Sequence, residues 1–138
     1  MPDLVYRIKE TLTVNGKVVG NDVTNTVSGI NSYYQAVISV PVSAPINLLA
    51  FAATESFGAI ADASLRYLRI TNLGGISSLV SVTFTIGTDT VVTKISGGNS
   101  LVLTYDQMNI DGAGMLQLDS ITGTATVTSD VEIFVATT

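Results

Sequence analysis

The chain contains no histidine, no cysteine and no tryptophan, and only 12% of its residues are charged, about half the ~25% of an ordinary soluble domain. Without histidine it lacks the side chain that most often serves as a general base near neutral pH. The absence of cysteine removes the thiolate nucleophile, the disulfide and the soft ligands of zinc sites. Charge of one sign is also scarce. Six Lys and Arg stand against eleven Asp and Glu, for a net charge of −5 and a pI near 4.3. Arg7, Lys9, Lys17, Arg66, Arg69 and Lys94 are too few and too scattered to track a phosphate backbone, so nucleic acid is not an expected partner. No cofactor signature is present, and catalysis is not expected.

A long hydrophobic run is missing too. Residues 23 to 54 carry no charge, but Pro41 and Pro45 interrupt them, Asn47 falls between apolar stretches, and β-branched residues dominate the first half. Two short strands around a proline-bounded turn fit this segment better than a membrane helix. The first residues lack a basic stretch followed by an apolar one, so no secretory leader is expected and synthesis in the cytoplasm is the default.

What fills the chain instead is alternation. Val80, Val82, Phe84 and Ile86 alternate with Ser81, Thr83 and Thr85, the period-2 pattern of a strand with one apolar and one polar face. Leu101, Leu103 and Tyr105 repeat it, as do Ala125 and Val127, and then Val131, Ile133 and Val135. Leu4, Tyr6, Ile8, Leu12 and Val14 share one parity, broken by Glu10, where a bulge or a strand end is expected. Asn15-Gly16 follows, the preferred two-residue hairpin turn, and predicts a hairpin joining residues 4 to 14 with 17 to 27. Turn signals at Ser28-Gly29, Pro41 to Pro45, Gly74-Gly75, Gly87 to Asp89, Gly97 to Asn99, Gly112 to Gly114, Gly123 and Ser129-Asp130 cut the remainder into short pieces. About eight to ten short strands and no amphipathic helix predict one all-β domain over residues 1–138, an antiparallel β-sandwich and most of all a jelly roll.

Sites of chemistry are thin. Glu10, Glu55, Glu132 and eight Asp could pair as hydrolytic carboxylates only through the fold, and most of the Asp sit in turns. Asp106, Asn109 and Asp111 lack the ligand alternation and terminal Glu of a calcium loop. The glycines at 97–98 and 112–114 precede no helix and no Lys-Ser/Thr signature, so hairpin turns account for them better than a phosphate cradle. Tyr33 and Tyr34 are adjacent on a strand and must face opposite ways, which puts one of them outward as a contact residue. In Leu65-Arg-Tyr-Leu-Arg-Ile-Thr-Asn-Leu73, if Leu68 and Ile70 face the core, Tyr67, Arg69 and Leu73 stand opposite, on a face suited to a subunit contact. Tyr33, Tyr34, Tyr67 and Arg69 are therefore the candidate interface residues.

That last segment, followed by Val80-Ser-Val-Thr-Phe-Thr-Ile-Gly87 and Ile95-Ser-Gly-Gly-Asn-Ser-Leu-Val-Leu103, resembles small structural proteins of tailed-phage virions, of the marine cyanophage type. In these an Arg-Ile-Thr-Asn strand precedes a Ser/Thr-rich strand, and a Gly-Ser turn introduces the next. The likeness covers residues 65 to 105 and carries no catalytic signature. It implies a capsid decoration, or cement, protein on the capsid surface of a virion, a homotrimer by preference, bound to the major capsid protein. A head-tail or tail component is the nearest alternative. A lectin-like carbohydrate-binding module stacking sugars on Tyr33, Tyr34 or Tyr105 is the competing class.

Overall fold

The computed structural model describes residues 2–52, 58–61, 64–104 and 118–138. The first reversal of the chain is at Asn15-Gly16, where both residues take positive φ, 49° and 75°. A type I′ turn requires that conformation, and these two residue types tolerate it best. The expected hairpin forms: β1 (Leu4–Lys9) pairs with β4 (Asp22–Val27), and β2 (Leu12–Val14) with β3 (Lys17–Val19). Leu4 faces Val27 and Leu12 faces Val19, so register is unchanged across the interruption at Glu10. Of the two expectations there, the strand end occurs and the bulge does not. The Glu10 amide donates to the Asn21 carbonyl at 2.8 Å, and a Cβ on Gly20 would lie 2.0 Å from the Glu10 carbonyl oxygen. Only glycine permits so close an approach of the two strands.

The remaining strands are β5 (Ser32–Val40), β6 (Ile46–Ala52), β7 (Ile60–Ala61), β8 (Leu65–Asn72), β9 (Leu79–Ile86), β10 (Asp89–Ser96), β11 (Ser100–Thr104), β12 (Ser120–Ala125) and β13 (Ser129–Thr137). They form two sheets, in the orders β11-β8-β13-β5 and β10-β9-β12-β6-β7. All pairings are antiparallel except the short one between β6 and β7. The chain is thus an all-β sandwich. Its thirteen strand segments among the described residues exceed the eight to ten expected, because the hairpin is cut into four pieces and β7 adds a two-residue strand. The uncharged segment from Val23 supplies β5 and β6 on either side of the Pro41 to Pro45 turn. Among the described residues no helix is long and apolar enough to cross a membrane.

The core follows from the alternation. Val80 and Val82 from one sheet, and Val131, Ile133 and Val135 from the other, are fully buried, with Leu48, Phe51, Phe84 and Ile121 filling the space between. Each such side chain contributes about 1.5–3 kcal/mol relative to exposure. The alternation misleads at one end: Val127 lies past β12 and is exposed.

Strand β8 departs from a one-sided pattern. Leu68 and Ile70 enter the main core as expected, but Tyr67 on the other face is buried as well, in a second cluster with Ile30 and Ala136. The strand ends in Asn72, also fully buried. Its amide donates to the Ile95 carbonyl (2.9 Å) and Ser78 Oγ (3.1 Å), and its Oδ1 accepts the Gly74 N–H (2.9 Å). Its backbone bonds to Gly98 and Asn99. One side chain therefore joins β8, the loop leading to β9 and the end of β10. Asn72→Ala strands several of these buried partners, and since each unsatisfied group costs about 1–3 kcal/mol, urea unfolding should show at least about 2 kcal/mol lost with an unchanged m-value.

Candidate interaction surface

The hairpin presents a largely apolar face, because alternation and register place Leu4, Tyr6, Ile8, Leu12 and Val14 on one side with Val27, Val23 and Val19, interrupted by Asn25 opposite Tyr6 and Lys17 opposite Val14. Its base is seated: Leu4, Tyr6 and Val27 pack on Tyr67, Ile30 and Ala136, covering part of the outer face of the β11-β8-β13-β5 sheet. Beyond the base the same stripe continues with no cover among the described residues. Ile8, Leu12, Val14, Val19 and Val23 are 39–59% exposed, and every residue from Arg7 to Thr24 lies in the exposed class. The hairpin is an arm with a docked base and a bare apolar tip. Its pattern of alternation announces a buried face without saying what buries it, so exposure of the tip was not legible from the residues.

Arg7 and Asp22 brace the arm on its other face. The guanidinium donates to both carboxylate oxygens, with Nε to Oδ1 at 2.6 Å. This bond holds the Asp22 carboxyl below the usual carboxylate range and raises Arg7 further. Both groups are fully exposed, so the pair positions the strands more than it stabilises the fold.

Next to the seated base runs a row of aromatic rings on the outer sheet face. Tyr6 lies 5.2 Å from Tyr67, Tyr67 meets Phe134 edge-on at 6.0 Å, and Phe134 stacks on Tyr33 at 6.2 Å. The row passes from buried Tyr67 to Tyr33, which is 70% exposed. Arg69 sits 5.9 Å from the Phe134 ring and pairs with Glu132, whose other oxygen accepts from Gln35 Nε2 at 3.4 Å. Its Nε is buried without a hydrogen-bond partner among the described residues. Burial pushes the Tyr67 hydroxyl up, while the Arg69 guanidinium pulls it the other way.

Three of the four candidate contact residues, Tyr33, Tyr67 and Arg69, thus share one face, and Tyr34 points from the opposite face of β5. Tyr67 is buried within its own chain, with Tyr6 packed over it. Arg69 is half-buried and paired within the chain. Tyr33 and Tyr34 are both exposed, where one core and one surface tyrosine would be the ordinary outcome. They border a cavity of about 340 Å³, also lined by Asn47, Leu48, Ile60 and Ser64, at the end of the sandwich between β5 and β7. No charged residue is among those described as lining it.

Among the described residues the carboxylates do not converge. Asp22 and Glu132 are in ion pairs, Asp119 accepts the Gly87 amide at the β9–β10 turn (2.6 Å), and no metal-holding cluster of acidic residues exists among the described residues. Glu55, Tyr105, the Asp106-Asn109-Asp111 loop and the 112–114 glycines lie outside the described residues. No protein-family model matches the chain, and no curated protein matches it.

The arm can be tested at both of its anchors. Arg7→Ala should let Asp22 titrate higher, in the ordinary carboxylate range, in an NMR pH series. In the wild type the brace is intact at neutral pH and is released as pH falls through the depressed Asp22 pKa. Tyr6→Ala should strip amide-exchange protection from β1 and β4 while the β8 and β13 amides keep theirs, because β8 and β13 are also held by the main core and β1 and β4 only by the second cluster.

Proposed function

We propose that this chain is a non-catalytic structural component of a virion, a decoration protein that adds to the capsid shell and stabilises it. The observation that carries the reading is the arm. A two-stranded ribbon presenting five exposed apolar side chains in a single stripe is a docking element, since a stripe of that kind on a soluble chain marks a contact. The partners are copies of this chain and the major capsid protein, and the location is the capsid surface after synthesis in the host cytoplasm. A head-tail or tail position would use the same arm.

Strand order supports the reading. Counting β5, β6 and β8 to β13 as eight consecutive strands, one sheet runs first, eighth, third, sixth and the other second, seventh, fourth, fifth. We read this as jelly-roll wiring, an architecture common to capsid and lectin domains. The segment resemblance favours the capsid over the lectin. The exposed apolar surface of the described residues also favours it, being aliphatic along the arm, with Tyr33 exposed on the outer sheet face and Tyr34 on the other face of β5.

Mass spectrometry of purified particles should find the chain at a fixed stoichiometry to the major capsid protein; its absence from intact particles would sink the proposal. Leu12→Ser combined with Val19→Ser should weaken co-sedimentation with shells at least about tenfold, equivalent to about 1.4 kcal/mol, with an unchanged circular dichroism spectrum. Glycan binding that is lost in Tyr33→Ala would instead identify the lectin-like module.

A further inference from the structure

Four strands end the two sheets, and three of them are protected in ways that natural edges usually are. Among the described residues strand β7 has two residues and β11 five, both shorter than β5, while β10 carries Asp89 and Lys94. Strand β5 has none of these defences. It runs for nine residues, Ser-Tyr-Tyr-Gln-Ala-Val-Ile-Ser-Val, without a charge, a proline or a glycine, and all nine pair with β13 in unbroken register. No strand lies along its outer edge among the described residues. At about 3.4 Å per residue it offers roughly 30 Å of open backbone donors and acceptors.

We infer that β5 is a self-association edge, where two copies of the chain pair antiparallel about Ala36 and fuse their four-stranded sheets into one of eight. The occupant is a second copy because the strand is complementary to itself. With no charge along it, nothing repels when it meets its own reverse, whereas the ribbon edges of the arm carry Arg7, Lys9, Lys17 and Asp22. Pairing about Ala36, the middle residue, keeps all nine residues in the ladder and sets Gln35 opposite Val37 and Tyr34 opposite Ile38 of the second copy. Val37 and Tyr34, 58% and 44% exposed, are then covered. Tyr34 has the same parity as buried Val40, so its ring would close the sandwich edge that the single chain leaves open. The contact is two-fold and self-limiting, in place of the three-fold ring that the resemblance implies. It is independent of the virion reading.

Sedimentation equilibrium of the full chain over a concentration series tests it. The wild type should reach a two-protomer mass. Val37→Lys, at an exposed position that folding does not need, places like charges diagonally across the pair and should raise the dimer dissociation constant at least about tenfold, the effect of about 1.4 kcal/mol. Adding Gln35→Glu to that variant sets each lysine opposite a glutamate and should restore the dimer. Leu12→Ser on the arm should leave it intact. A monomeric or three-protomer wild type, an unaffected Val37→Lys, a failure of Gln35→Glu to restore association, or loss of the dimer in Leu12→Ser would each overturn the proposal.

Discussion

Burial of β8 on both of its faces is the constraint on which the rest of this structure depends. An antiparallel sheet commonly buries one face and leaves the other to water. Here Leu68 and Ile70 enter the sandwich core while Tyr67 needs a second cover, and the N-terminal hairpin supplies it through Tyr6, Leu4 and Val27. The base of the arm is therefore integral to the fold. Asn72 finishes the same strand inside the protein, where its hydrogen bonds set the path from β8 into β9 and hold the β10–β11 turn. A buried amide survives only when its donors and acceptors find partners, and this one does.

The scarcity of charge then separates into two parts with different causes. Around β8 and β13 it reflects an intramolecular requirement, because a sheet covered on two sides has little place for ionised groups, and its Arg69 and Glu132 pair with each other. Along β5 no such cover exists among the described residues, yet the low-charge composition continues, while the arm tip sets exposed aliphatic side chains beside Arg7, Lys9, Glu10, Lys17 and Asp22. Desolvating hydroxyl-bearing and aliphatic side chains is far less costly than desolvating lysine or glutamate. The surface is thus suited to contact along two separate features, a strand edge and a ribbon face.

Much of the architecture was legible in the residues. Asn15-Gly16 could do little else than turn a hairpin, the alternation at 80–86 and 131–135 marked strands with one core face, and Pro41 with Pro45 converted an apolar run into two strands. The candidate surface was half legible. The outward face carrying Tyr33 and Arg69 follows from strand parity, but parity does not reveal that a sequence-distant ring, Tyr6, covers Tyr67 on that face. Nothing local distinguishes a tyrosine awaiting a second subunit from one already covered by its own chain.

The sequence by itself determined the all-β class, the turn positions, the parity of each strand and the absence of residues for thiol or imidazole chemistry. These rest on local rules: which backbone angles a residue tolerates, and the two-residue repeat of a strand. Only the tertiary structure decided which strand stands at an edge, which apolar face is covered and how far along the arm that cover reaches. Those are relations between residues far apart in the chain, such as Tyr6 with Tyr67 and β5 with β13, and they are set by how whole strands share limited covering surface, which no alternation pattern encodes.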